Sequence, residues 1–98
     1  LHTKGANDMN YIISGSGDNT IKLWDVETSQ CVATLEGHTG GVFTILKIEW
    51  DRDNSTLLSG SADKTIRIWN LKLQMEMKII TGHQHAIYCL EQIKWEKD

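Results

Sequence analysis

Serine, histidine and aspartate gather twice along these 98 residues. Ser59, Ser61 and Asp63 follow His38; Ser14, Ser16 and Asp18 stand in the same arrangement earlier, and His83 comes later. The trio is that of nucleophilic hydrolysis, in which a base activates a serine hydroxyl and a carboxylate orients the base. A nucleophile also needs an exposed, strained perch and an oxyanion hole, and a Ser-Gly-Ser inside an extended strand offers neither. The reading from sequence is therefore structural: no catalytic residue is assigned. His83-Gln84-His85 is an i, i+2 histidine pair with no cysteine or carboxylate at ligand spacing, so no metal site is assigned and no cofactor is expected. Asn54-Ser55-Thr56 matches a glycosylation acceptor, a match without meaning in a cytosolic protein.

The elements that position these residues recur. Ser14-Gly15-Ser16-Gly17-Asp18-Asn19-Thr20-Ile21-Lys22-Leu23-Trp24-Asp25 is echoed 45 positions later by Ser59-Gly60-Ser61-Ala62-Asp63-Lys64-Thr65-Ile66-Arg67-Ile68-Trp69-Asn70. Gly37-His38 returns as Gly82-His83, and Trp50 as Trp95. Gly-His, Ser-Gly-Ser-x-Asp and Trp-Asp repeating at this period resemble the WD40 repeat family, over roughly residues 10 to 95. The resemblance implies an all-β fold built from four-stranded antiparallel propeller blades.

Apolar, β-branched runs between Gly, Asp, Asn and Ser turns predict strands at 10–16 and 56–61, 20–25 and 65–70, 31–35 and 76–80, and 42–49 and 86–94. Helical spacing of Leu71, Gln74, Met75 and Lys78 is the competing reading of 69–80. The matching segment 26–35 favours the strand. In the family the strand after Gly-His is innermost, strand a, with b, c and d outside it. On that lettering the order is b-c-d, a-b-c-d, a. Blade one takes strands within 10–35, blade two is 42–80, and 86–94 is the inner strand of a following blade. Residues 1–9 read as an a–b connection.

In the family, a His, a Ser, an Asp and the Trp of one blade form a buried hydrogen-bonded tetrad. Here the resemblance implies His38, Ser61, Asp63 and Trp69, with Ser59 as the fallback because it shares a strand face with Ser61. Blade one supplies Ser16, Asp18 and Trp24 but no preceding Gly-His. His83 of a neighbouring copy would fill that place. The residues opening strand a would face partners at the channel mouth: Phe43 and Tyr88, at matching positions and able to hold a cationic peptide side chain, with His85 beside them.

The net charge is −3 with mixed signs, so no basic track suits nucleic acid. No apolar run reaches membrane-spanning or signal-peptide length. Cys31 and Cys89 lie in apolar strand contexts and read as packing residues of a cytoplasmic protein. Two repeats fall short of a propeller of four to eight blades. The chain is thus expected to be a piece of a longer protein whose neighbouring blades complete it, as the start at Leu1 favours, or a homo-oligomeric ring. Three chains would give six blades and four would give eight. The expected function is a non-enzymatic scaffold for protein or peptide partners. The alternatives are a structural part of a large assembly (coat, ciliary or ribosome-associated) and the substrate-recruiting arm of a ubiquitin ligase.

Overall fold

In a computed structural model, which describes residues 2–4, 10–48 and 55–93, every regular element is a strand. The first sheet is β1 (His2–Lys4), β2 (Asn10–Gly15), β3 (Ile21–Asp25) and β4 (Gln30–Leu35). The second is β5 (Val42–Lys47), β6 (Thr56–Ser61), β7 (Ile66–Asn70) and β8 (Met75–Ile80). Both are antiparallel meanders in simple chain order. The segment 69–80, with its helical spacing, is the end of β7, a turn and β8. Met75, Met77 and Ile79 alternate on an extended chain.

The repeat of the sequence is a repeat of the backbone. The bulge between Leu23 and Trp24 returns between Ile68 and Trp69. Positive φ at Asn19 and Ser29 returns at Lys64 and Gln74. In the first β2–β3 hairpin the Asn19 amide donates to the Ser16 carbonyl at 3.2 Å, and the Ser16 amide to the Thr20 carbonyl at 3.1 Å. This is a three-residue loop that ends in a left-handed residue, a turn whose twist suits antiparallel strands.

The phase of the strands differs from the sequence reading in two places. Residues 2–4 are a strand rather than part of a connection: His2, Thr3 and Lys4 pair with Ile12, Tyr11 and Asn10. His2 opposite Ile12 repeats Lys47 opposite Leu57, so β1 is the end of an inner strand in the same register as β5. Conversely, the segment expected as strand 86–94 is not a strand over its described part, 86–93. It begins like β5: the Ile87 amide donates to the Ser61 carbonyl at 3.0 Å, as the Val42 amide does to Ser16 at 2.9 Å. A strand needs a ladder partner, and among the described residues no strand pairs with this segment. The order is therefore two four-stranded blades, a-b-c-d twice. Residues 49–54 and the Trp50 and Trp95 signals lie outside the described residues.

The core lies between the sheets. Ile13, Ile21 and Leu35 of the first pack against Val42, Leu57 and Trp69 of the second, with Leu23, Ile45 and Leu71 partly buried beside them. Close approach of β6 to β5 and Ile87 needs glycine. A Cβ on Gly60 would meet the Ile87 methyl at 2.6 Å and the Thr44 methyl at 2.8 Å.

Lys64 holds φ 72 where blade one places Asn19 at φ 77. A left-handed conformation costs a β-carbon-bearing residue about 1–2 kcal/mol, less for asparagine. Lys64→Asn is expected to raise stability by roughly 0.5–1 kcal/mol in urea unfolding.

Candidate functional site

Blade two carries a continuous chain of buried hydrogen bonds. The Trp69 indole Nε1–H donates to Ser59 Oγ at 2.8 Å. Ser59 Oγ lies 2.6 Å from His38 Nε2, and His38 Nδ1 lies 2.7 Å from Asp63 Oδ2. One proton arrangement satisfies every link: indole to hydroxyl, hydroxyl to Nε2, Nδ1–H to carboxylate. Asp63 also accepts from the Thr39 amide at 3.0 Å, the Thr65 amide at 2.9 Å and the Thr65 hydroxyl at 2.6 Å. The network therefore ties the loop before β5 to β6, the β6–β7 turn and β7.

Each member is placed by local structure. Asp63 sits in the tight turn, where its carboxylate caps the amide two residues on. Gly37 lets the chain lie flat before His38: a Cβ there would meet Trp69 at 3.1 Å and Glu76 Oε1 at 2.9 Å. Over Gly37 the Arg67 guanidinium pairs with Glu76 at 2.6 Å and approaches Asp63 at 3.6 Å.

The serine of the network is Ser59, not Ser61. Trp69 pairs with Leu57, and an indole reaches diagonally to the next residue on that face, which is Ser59. Ser61 lies further along and serves the turn, donating to the Gly40 carbonyl at 2.9 Å and accepting from the Asp63 amide at 3.1 Å. The same shift holds in blade one. Trp24 Nε1–H donates to Ser14 Oγ at 2.9 Å, while Ser16 Oγ accepts from the Asp18 amide at 3.2 Å. Strand parity showed which face carried the serine; only the pairing register could choose between two serines on it.

Ser59, His38 and Asp63 are spaced like a hydrolytic triad. The hydroxyl nevertheless cannot act on a substrate, because Ser59 has no exposed surface and already accepts from Trp69. What the group can do is hold register: four polar side chains are buried at tolerable cost only when all are in place.

Burial pushes the Asp63 carboxyl up, but hydrogen bonds from the Thr65 hydroxyl, His38 and the Thr39 and Thr65 amides outweigh it. They hold the group far below the ordinary carboxylate range. In blade one the Thr20 hydroxyl and amide, with Ser16, lower Asp18, which is fully exposed. Asn70 stands where the repeat has an acid at Asp25. Its Oδ1 accepts from the Leu73 amide at 2.9 Å, as Asp25 Oδ1 accepts from Glu27 at 2.9 Å, so the amide performs the same turn-capping role.

Phe43 of β5 and Tyr88 stack with ring centroids 5.2 Å apart and planes 23° from parallel. They are 50% and 71% exposed, and His85 is exposed nearby in sequence. His83 is exposed. Among the described residues no three His, Cys, Asp or Glu side chains converge where a metal ion could sit.

A family model described as "WD domain, G-beta repeat" matches residues 1–25 and 29–70. The chain belongs to the WD40 repeat family. WD40 repeats generally form non-catalytic scaffolds that mediate protein–protein interaction. The chain is 46% identical over 52 residues, 45% of its length, to "Coatomer subunit beta'-1" of Arabidopsis thaliana. It is 54% identical over 35 residues, 36% of its length, to "F-box/WD repeat-containing protein 7" of Drosophila melanogaster. These matches span 6% and 3% of the relatives' own lengths. The solved "Structure of U3-55K" superimposes with a TM-score of 0.70 at 24% identity, covering 87% of this chain and 25% of that one, a likeness of fold.

Asp63→Ala leaves buried donors unpaired and is expected to cost about 2–4 kcal/mol in denaturant unfolding. Because folding lowers the Asp63 pKa, its contribution is complete above the unfolded value near 4 and is lost as pH falls through the folded value. Acid titration of stability should thus show a decline below about pH 4 that Asp63→Asn flattens.

Proposed function

We propose that this WD40 segment is a non-catalytic docking module whose channel-side aromatic pair, Phe43 and Tyr88, receives a cationic side chain of a peptide or protein partner. The observation that carries the reading is that stack: two large rings at matched repeat positions, in contact with each other, with much of their surface left to solvent. Aromatic faces attract guanidinium and ammonium groups, and large exposed rings on an otherwise polar surface mark contact sites. The rings already touch, so the cation would lie on the outer face of Tyr88 rather than between them. His85 would border the incoming chain. The net charge of −3 favours a basic partner over an acidic one.

A second reading has a specific observation behind it. The 46% identity to a coatomer subunit supports a place in a large assembly, where the same surface would meet a fixed neighbour. The match to an F-box/WD protein supports the recruiting arm of a ligase less directly.

Fluorescence anisotropy with a labelled arginine-containing peptide, and its citrulline counterpart, tests the site. Binding is expected to drop roughly tenfold with Tyr88→Ala or with citrulline, and to survive Tyr88→Phe. Equal binding of both peptides, or no effect of Tyr88→Ala and Phe43→Ala in chains with unchanged near-ultraviolet dichroism, would reject the reading.

A further inference from the structure

The last strands of the two blades, β4 and β8, hold the same place, yet their side chains differ in kind. Each ends its sheet, so its outer edge carries backbone groups that no strand among the described residues pairs. Thr28, Gln30, Val32 and Thr34 of blade one correspond by the 45-residue period to Leu73, Met75, Met77 and Ile79 of blade two. All eight are exposed. In blade two the exposure is 62% at Leu73, 49% at Met75, 55% at Met77 and 44% at Ile79. Three polar side chains of four have become large apolar ones at positions that face water.

That exposure belongs to the position and not to a bare blade face. Gln30 lies opposite Asp25, on the face of β3 whose Ile21 packs against blade two. Ile79 lies opposite Arg67, on the face of β7 whose Trp69 packs against blade one. Both faces are covered and both side chains stay exposed, because the sheets meet through β2 and β5 and the outer strands lie beyond that contact. A strip of apolar side chains along an open strand edge is a liability unless a partner covers it.

Charge indicates the partner. Residues 26–35 hold one charged group, Glu27, whereas residues 71–80 hold Lys72, Glu76 and Lys78. Glu76 is matched within its own blade by Arg67 at 2.6 Å, so the balance of the strip is positive. Lys78 is exposed; its counterpart Ala33 is buried, but a lysine stem is long enough to carry the ammonium out to the edge. A second copy of β8 does not supply the missing carboxylate. Paired antiparallel about Met77, it would bring Glu76 level with Lys78. The bulge, however, sets Glu76 opposite Trp69 and Lys78 opposite Ile68, on different faces of the sheet.

We propose that the outer edge of β8 takes an extended segment of a partner protein, apolar on one face and acidic on the other, as a fifth strand. Its backbone pairs with the open edge, its apolar side chains lie beside Ile79, and a carboxylate lies beside Lys78 on the other face. Met77 at the bulge and Met75 beyond it extend the apolar contact with adaptable thioethers. The edge is three strands out from β5, which carries Phe43, and it selects the opposite charge.

Fluorescence anisotropy of a labelled, capped peptide of alternating valine and glutamate, titrated with the full 98-residue chain, tests the edge. A valine–lysine peptide is the counterpart. The glutamate peptide is expected to bind, and the lysine peptide to bind roughly tenfold more weakly. Lys78→Glu should reverse that order. Met75→Gln combined with Ile79→Thr installs the blade-one residues on a backbone that already accepts them, and should weaken binding of the glutamate peptide roughly tenfold. No binding of the glutamate peptide, equal binding of both, or an order unchanged by Lys78→Glu overturns the proposal. So does full binding by the double variant with unchanged near-ultraviolet dichroism. Self-association in sedimentation that the double variant abolishes would assign the edge to a second copy and also overturn it.

Discussion

The bond from the Ser59 hydroxyl to His38 is the constraint on which blade two depends. It joins a loop that precedes the inner strand to the middle of the sheet. With it come Trp69, which fills the core, and Asp63, which shapes the turn. Remove any one member and the others become unpaired donors or acceptors in a dry interior, where each costs more than the bond itself contributes. Such a network acts less as adhesive than as a specification, since shifting β6 by one residue would turn Ser59 to the other face and break its bonds to both Trp69 and His38.

Blade one shows what the same residues do without that bond. Trp24 and Ser14 are linked much as their counterparts are, and the hairpin turn has the same conformation. Yet Asp18 is exposed, its hydrogen bonds are confined to its own turn, and the tryptophan is only partly covered. The two copies differ less in sequence than in what lies beside them. Burial in a repeat protein is a property of the interface between units rather than of the unit, and each unit leaves a face for its neighbour.

Much of this was legible in the chain. The 45-residue period named most of the strands, and β-branched alternation with the turns at Asp18-Asn19 and Asp63-Lys64 separated β2 from β3 and β6 from β7. His38, Asp63 and Trp69 were identifiable because each has one place in the repeat. Ser59 and Ser61 were not separable: they share a face, and the decision rests on which residue of β6 lies opposite Trp69, a register fixed across two strands. Nor did the inner strand at His2–Lys4 have a readable signal. Three residues are too few for periodicity.

By itself the sequence determined the class, the blade period, the positions of the turns and the identity of three of four tetrad members, because these follow from local spacing and backbone preference. Tertiary structure decided which serine joins the network, that Ile87–Leu90 belong to no strand among the described residues, and which apolar faces are covered. Those outcomes depend on atoms supplied by a neighbouring strand or blade, and a strand pattern states that a residue can be buried without stating what will bury it.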